Sequence, residues 1–107
     1  MDNGPQGTDA PAAVLVLHPE DNVVVCRRDV RAGERLVIEG DSTIARSDVA
    51  LGHKIARRVI HRGAPVVKYG VSIGSSTAEI QPGEWVHLHN MKSDYIPSHT
   101  RDSRERR

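Results

Sequence analysis

The strongest chemical signal in the sequence is a pair of histidines near the end of its last apolar run. His87 and His89 belong to the segment 84–90, Glu-Trp-Val-His-Leu-His-Asn, and on a β-strand alternate residues share one face. Their Cα atoms would lie roughly 6.5 Å apart, with Val86 and Leu88 pointing inward. Such a pair can chelate a metal ion or hold an anion, although a catalytic metal site usually needs three protein ligands. Two solvated histidines on an edge strand are the alternative.

Four further basic residues lie at the ends of predicted elements. His18 follows an apolar strand, where loops often carry functional side chains, although an ordinary turn residue is the alternative. His53 and Lys54 lie at the start of a predicted helix, whose free N–H groups favour a carboxylate. An exposed lysine is also common there. Lys68 ends a strand just before a glycine, so it marks either a functional turn or a plain one.

The remaining candidates give no complete active site. The sequence has no Ser-His-Asp order, no Walker loop and no Cys-x-x-Cys motif. Cys26 lies in an apolar run, which favours a small core residue over a nucleophile. His61 and His99 have no companions and are expected to be solvated. From its residues alone, the chain therefore offers scattered His and Lys side chains at turns.

Length and composition limit the class of protein that these residues can belong to. The chain has 107 residues, which fits one domain, and its 25 Val, Ile and Leu include 13 Val, a composition typical of strands. The longest apolar run, six residues at 12–17, is far shorter than the ~20 that a membrane helix needs. A secretory signal is not expected, and one cysteine excludes an internal disulfide and agrees with a reducing cytosol. We expect a cytoplasmic domain without a membrane segment.

The two ends of the chain differ from its middle. Residues 1–12 lack an apolar pattern and are expected to form a disordered leader, followed by a domain over 13–92. Residues 93–107 form a polar tail whose last seven residues include four Arg and two acids. A basic tail can contact nucleic acid, but no stripe of basic and aromatic residues accompanies it. We therefore expect a solvated, flexible terminus and no nucleic-acid partner.

The apolar pattern predicts short strands that turn often, with no visible internal repeat. Glycines, Pro and Asx residues separate these runs, and this frequent turning favours a mostly β, compact clip or small barrel. The single helical pattern lies in 48–63, where apolar residues recur every three or four positions. We expect a short helix over 53–61 that buries Ile55, Val59 and Ile60.

Five motifs in order resemble one known family. They are His18-Pro-Glu-Asp-Asn22-Val, Gly52-His-Lys-Ile-Ala56, Lys68-Tyr-Gly70, Ile73-Gly74 and Gly83-Glu-Trp-Val-His-Leu-His-Asn90. The series, over about 13–90, closely resembles the small N-terminal domain of the altronate and galactarate dehydratases. That module is a SAF domain with a β-clip fold, related to type III antifreeze proteins and to the C-terminal domain of sialic-acid synthases. Trp85 departs from the pattern, because many relatives have His or another polar residue there.

The resemblance implies a hydro-lyase that dehydrates a sugar acid to a 2-keto-3-deoxy acid. A divalent metal, Fe²⁺ with Mn²⁺ as the alternative, would help to stabilise the enediolate that forms. By resemblance, His87 and His89 are the catalytic and metal-contacting residues at a subunit boundary. Substrate contacts would come from a second set of side chains, namely His18, His53, Lys54, Lys68 and Asn90.

The resemblance also implies a partner. In that family the module is either fused to a much larger catalytic domain or encoded as a separate small subunit, and this chain ends soon after its His-x-His-Asn motif. We therefore expect a large catalytic subunit on another polypeptide, which would share the metal and bind the sugar acid or hydroxy acid. Two alternatives are the small subunit of a sulfolactate sulfo-lyase, in which sulfite leaves instead of water, and a stand-alone SAF-type binding module.

Overall fold

Nine short β-strands make up the regular structure of residues 12–94, the part of the chain that the structure, a computed structural model, describes. They are β1 (Val14–Leu15), β2 (Val23–Cys26), β3 (Arg35–Ile38), β4 (Asp41–Ile44), β5 (Lys54–Ala56), β6 (Pro65–Lys68), β7 (Val71–Ser76), β8 (Trp85–Val86) and β9 (Met91–Lys92). The predicted leader 1–12 and tail 93–107 lie almost entirely outside the described residues, so both stay predictions. No helix in 12–94 has the length and apolar character needed to cross a membrane.

All strand pairs are antiparallel and form three small sheets. The largest sheet has the order β1-β2-β5-β8, the hairpin β3-β4 forms the second, and β6-β7-β9 forms the third. A mostly β domain built of short, frequently turning strands is the fold class expected from the sequence, which is confirmed.

Two apolar clusters cover opposite faces of the pair formed by β2 and β5. Val24 opposes Ile55 in this pair and Val23 opposes Ala56, and neighbouring residues of a strand point to opposite faces. Val24 and Ile55 therefore join one cluster, while Val23 and Ala56 join the other. Ile55 is fully buried, and burial of a side chain of this size stabilises the fold by about 1.5–3 kcal/mol.

Four turns of the same shape connect the strands. Each contains a glycine with φ between +84° and +91°, and in each the backbone N–H after the glycine donates to the carbonyl three residues earlier. The four glycines are Gly33, Gly52, Gly63 and Gly83. A positive φ at the third position of such a turn favours glycine. The turns meet in pairs through the isolated bridges Val30–Val49 and Ile60–Ile80.

These turns reveal an internal duplication, so the expectation of no repeat was wrong. Residues 23–52 and 54–83 each contain a strand, a glycine turn, a hairpin and a second glycine turn. Both hairpins turn through a residue pair with positive φ, Glu39-Gly40 and Tyr69-Gly70. Equivalent residues of the two halves are 30 positions apart at the first glycine turn and 31 apart at the second. The extra residue is Ile73, which a β-bulge leaves unpaired between β6 and β7.

The predicted helix over 53–61 does not form. Residues 54–56 are strand β5, and Ile60 makes a bridge to Ile80. Ile55 and Ile60 are buried as expected, but Val59 is 39% exposed. Apolar residues recur every three to four positions here because β5 contributes Ile55 to one core cluster and the segment after it contributes Ile60 to the other, which imitates a helical period.

Candidate functional site

An aromatic cluster surrounds Trp85. Its indole ring stacks on the His87 imidazole, with ring centroids 5.1 Å apart and an angle of 11° between the planes. The His89 ring lies 4.9 Å away and the His53 ring 5.7 Å away, both tilted. His53 and His87 are themselves 5.1 Å apart. Trp85, which stood out in the sequence only as a departure from the family pattern, therefore contacts three of the predicted site histidines.

The strands β5 and β8 hold this cluster in place. Trp85 opposes Ile55 in the antiparallel pair, and His53 immediately precedes β5. The His53 backbone is fixed at both ends, because its N–H donates to Ala50 and its carbonyl accepts from Cys26. Both rings of the His53–Trp85 pair thus project from paired, hydrogen-bonded backbone.

The segment carrying His87 and His89 is a turn, which corrects the prediction of a continuing strand. Strand β8 ends at Val86, and the Asn90 backbone N–H donates to the carbonyl of His87. Leu88, expected to point inward, is 78% exposed. Both imidazoles contact Trp85, and this common contact, not strand alternation, relates them to each other.

Asn90 organises this turn. Its side chain is buried, its Oδ1 accepts the N–H of His87 at 2.9 Å, and its Nδ2 donates to the carbonyl of Trp85 at 2.9 Å. The amide therefore connects the strand end to the turn that follows it. A contact between Asn90 and a substrate stays a prediction.

Lys54 and Lys68 add positive charge to the site. Burial lowers the pKa of Lys54, and the charge of Lys68 lowers it further, which places the two ammonium groups within electrostatic reach of each other. Within residues 12–94 neither lysine forms an ion pair with a carboxylate. Two cations left together without a counter-charge are suited to an anionic ligand.

The same positive charge reaches His87. Burial lowers the pKa of His87, and Lys54, His53 and His89 act in the same direction. A histidine with a lowered pKa is neutral at pH 7, the form that binds a metal ion or accepts a proton.

His18 lies apart from the aromatic cluster, at the hairpin between β6 and β7. A Cβ on Gly70 would lie 3.1 Å from its ring, and its Nδ1 accepts the N–H of Glu20 at 3.0 Å. The buried Asp21 carboxylate accepts the N–H groups of Tyr69 and Gly70 at 3.0 and 2.8 Å. This contact fixes the loop of His18 against the hairpin that carries Lys68. Asp21 was not among the residues predicted from the sequence, because a buried acid in a turn has no signature beyond its residue type.

The four histidines of the motifs differ in what their rings already bind. The Nδ1 atoms of His18 and His53 accept hydrogen bonds, from the Glu20 backbone and from the Trp85 indole respectively. In the described part of the chain, the rings of His87 and His89 make no hydrogen bond. The latter pair is thus chemically free to supply imidazole ligands to a metal ion.

The described residues offer two imidazoles, those of His87 and His89, as candidate metal ligands. Over residues 12–94 no group of three His, Cys, Asp or Glu side chains converges to hold an ion. Two imidazoles fit two positions of a metal site, and three protein ligands is the usual number for a catalytic one. The donor set of the described residues therefore fits part of a metal site.

Trp85 lines two surface cavities. One, of about 400 Å³, has an apolar floor of Val30 and Val49 and reaches His53. The other, of about 440 Å³, lies between Arg46 and His89. Both cavities include the indole in their walls, so a ligand in either one would contact Trp85.

Comparison with known proteins places these features in a family. The model of the altronate/galactarate dehydratase SAF domain matches residues 12–94. Altronate dehydratase of Bacillus subtilis is 41% identical over 80 residues, and that of Escherichia coli is 40% identical over 80 residues. In both cases the match covers 75% of this chain but only 16% of the relative.

A second kind of relative is matched over most of its length. The (2R)-sulfolactate sulfo-lyase subunit alpha of Chromohalobacter salexigens is 36% identical over 87 residues, which cover 74% of this chain and 93% of the relative. These relatives are lyases of two kinds, and the resemblance stated from the five motifs is confirmed. The chain belongs to the altronate/galactarate dehydratase SAF domain family.

Proposed function

We propose that this chain is the small subunit of a heteromeric hydro-lyase that dehydrates a sugar acid of the altronate or galactarate type. Its product would be a 2-keto-3-deoxy acid, and a separate large subunit would complete the active site. The observation that carries the proposal is the pair Lys54 and Lys68, which lie near the imidazole cluster without a carboxylate partner in the described residues. A sugar acid supplies the missing negative charge.

The reaction explains why such a site needs cations. A base removes the proton on the carbon next to the carboxylate, and the electron pair left behind expels the β-hydroxyl, which leaves as water after protonation. The resulting enol then becomes the keto acid. Negative charge builds up on the carboxylate oxygens during the first step, so ammonium groups such as those of Lys54 and Lys68 stabilise the transition state.

His87 and His89 would hold a divalent metal, with Fe²⁺ or Mn²⁺ as the candidates. The ion would act as a Lewis acid on the carboxylate and hydroxyl oxygens. Further ligands would come from the large subunit, in keeping with the absence of a third converging ligand in residues 12–94. The lowered pKa of His87 supports this role, because the neutral ring is the ligating form.

A second candidate function is that of a sulfolactate sulfo-lyase small subunit. The observation in its favour is the 36% identity to subunit alpha of that enzyme in Chromohalobacter salexigens, a match that covers 93% of that subunit. The same residues would bind the carboxylate, and sulfite would leave instead of hydroxide. The two candidates differ in the product released.

The first experiment is affinity purification of the tagged full chain from its native cells, followed by mass spectrometry. A stoichiometric large subunit of the dehydratase family is the expected result. The complex is then assayed with altronate, galactarate and sulfolactate in the presence of Fe²⁺, Mn²⁺ or Mg²⁺, and both keto-acid and sulfite are measured. A well-folded chain that recovers no such subunit and binds sugar acids alone would instead favour the stand-alone binding module.

Substitutions in the complex test which residues act. Lys54→Met and Lys68→Met should each raise KM for the sugar acid, because each removes one cation from the site. Lys92→Met, which changes an exposed lysine on β9, is the charge-matched control and should leave KM unchanged. If all three variants behave alike, the cation pair does not bind the substrate.

A further inference from the structure

We propose that Trp85 is a positioning residue that fixes the tautomer of His53, so that His53 acts as a hydrogen-bond donor through Nε2 and not as a metal ligand. The acceptor of the Nε2–H hydrogen bond is taken to be an oxygen of a bound sugar acid, and only this identification rests on the proposed function. The tautomer itself is a property of the chain alone.

The geometry of the contact determines where the proton lies. The indole Nε1–H of Trp85 lies 3.2 Å from Nδ1 of His53. An indole nitrogen only donates, and a neutral imidazole carries one N–H and one acceptor nitrogen. Because Nδ1 accepts the indole hydrogen, the proton of the neutral His53 ring is on Nε2. An Nε2–H group donates to oxygen and has no lone pair for a metal ion.

Neither partner is free to turn away from this contact. The indole contacts both the His87 and the His89 rings and packs against the first core cluster. The Trp85 carbonyl accepts a hydrogen bond from the buried Asn90 amide. On the other side, His53 is held between a glycine turn and β5.

No second hydrogen bond to the His53 ring is made within residues 12–94. Asp29 and Asp48 line the same cavity, and each accepts a backbone N–H through Oδ1, from Leu51 and Ala32 respectively. Neither carboxylate bonds to His53, so neither draws the proton to Nδ1. The Nε2 atom makes no hydrogen bond in the described residues, which leaves it available to a ligand.

The arrangement divides the four histidines into two chemical kinds. His53, through Trp85, and His18, through the Glu20 backbone, both carry the neutral-ring proton on Nε2. The His87 and His89 rings have no such constraint in the described residues. Trp85 thus makes a donor of one histidine while it packs against two that are available as ligands.

Nitrogen NMR tests the tautomer without any assay of activity. Long-range ¹H–¹⁵N spectra of the labelled, metal-free full chain are recorded at about pH 9, where histidine rings are neutral. His53, assigned with a His53→Gln variant, should show a protonated Nε2 and an unprotonated Nδ1. A proton on Nδ1, or a mixture of both forms, in the wild-type chain would overturn the proposal, whether or not any variant folds.

Trp85→Phe isolates the indole N–H from the ring contact. Phenylalanine keeps an aromatic face for the imidazoles but donates no hydrogen bond, so the His53 signals should move toward a mixture of tautomers. The exposed His61, which contacts Glu79, serves as the internal control and should not change. Unchanged His53 signals in a folded Trp85→Phe chain would also overturn the proposal.

Kinetics of the complex then connect the tautomer with the reaction. Loss of one oriented hydrogen bond should lower kcat/KM of Trp85→Phe by about two- to tenfold, with bound metal unchanged. At position 53, Gln accepts and donates as the Nε2–H tautomer does, so His53→Gln should retain more activity than His53→Glu, which only accepts. An inactive wild-type complex would refute the proposed function and leave the NMR result standing.

Discussion

The buried amide of Asn90 supports a prediction that separates a structural role from a substrate-binding one. Its two side-chain hydrogen bonds connect the end of β8 to the turn that presents His87. Asn90→Ala removes both bonds and leaves the His87 N–H and the Trp85 carbonyl without these partners. Asn90→Asp keeps the acceptor for His87 and loses the donor to Trp85.

The magnitude follows from the burial of these groups. Each unmade bond in a buried setting costs about 1–3 kcal/mol, and some water will reach this turn, because Asn90 is 6% exposed and His87 only half-buried. We therefore expect Asn90→Ala to lower the free energy of unfolding by about 2–3 kcal/mol. In a domain of this size that lowers Tm by roughly 8–24 °C. Asn90→Asp should lose about half as much.

Thermal and urea denaturation followed by circular dichroism measure these losses. Gln81→Ala, which removes an exposed amide bonded to Glu79, is the control and should stay within about 0.5 kcal/mol of wild type. If Asn90→Ala melts like the control while the complex loses activity, Asn90 acts on the substrate and the structural assignment is wrong.

Three shorter predictions concern stability. Val59→Asp should leave Tm nearly unchanged because Val59 is 39% exposed, whereas Ile60→Asp should unfold the chain because Ile60 is 1% exposed; equal melting would refute the observed packing. Gly83→Ala should destabilise more than Gly52→Ala, since both have φ near +90° but only the first Cβ clashes with backbone; urea midpoints check the order. Lys54→Met should raise Tm at pH 7, because burial lowers the pKa of Lys54 in the folded state and so makes its charged form destabilising. This destabilisation is fully present below the folded-state pKa and decreases as pH rises through it, and a lower Tm in scans at pH 7 contradicts the prediction.

The fold was predictable where burial is a local property. Val-rich runs separated by Gly and Asx residues indicate short strands, whereas the alternating burial of β3, with Leu36 and Ile38 inside, is not visible in its run of three apolar residues. The helix failed for a long-range reason. Ile55 in β5 and Ile60 in the bridge to Ile80 are buried in different core clusters, and only the fold shows that they do not share one helix face.

The site was predictable as a set of residues but not as an arrangement. The sequence motifs identified His53, Lys54, His87 and His89, and the structure connects all four through ring contacts or charge. The central position of Trp85 was not visible, because an aromatic residue beside two histidines has the same pattern whether its ring stacks on them or faces solvent. His18 was grouped with the others, yet its contacts lie at the β6–β7 hairpin.

The internal duplication explains why the site lies where it does. Strands β2 and β5 begin the two repeats, β8 directly follows the second repeat, and the three strands pair in the order β2-β5-β8. His53, the last residue of the second glycine turn, and Trp85, the first residue after the fourth, are therefore brought to the same edge when β5 pairs with β8. The exits of the first and third turns lead into β3 and β6, which lie in separate sheets. A duplicated fold thus builds one cluster and not two, since only one set of turn exits is joined by strand pairing.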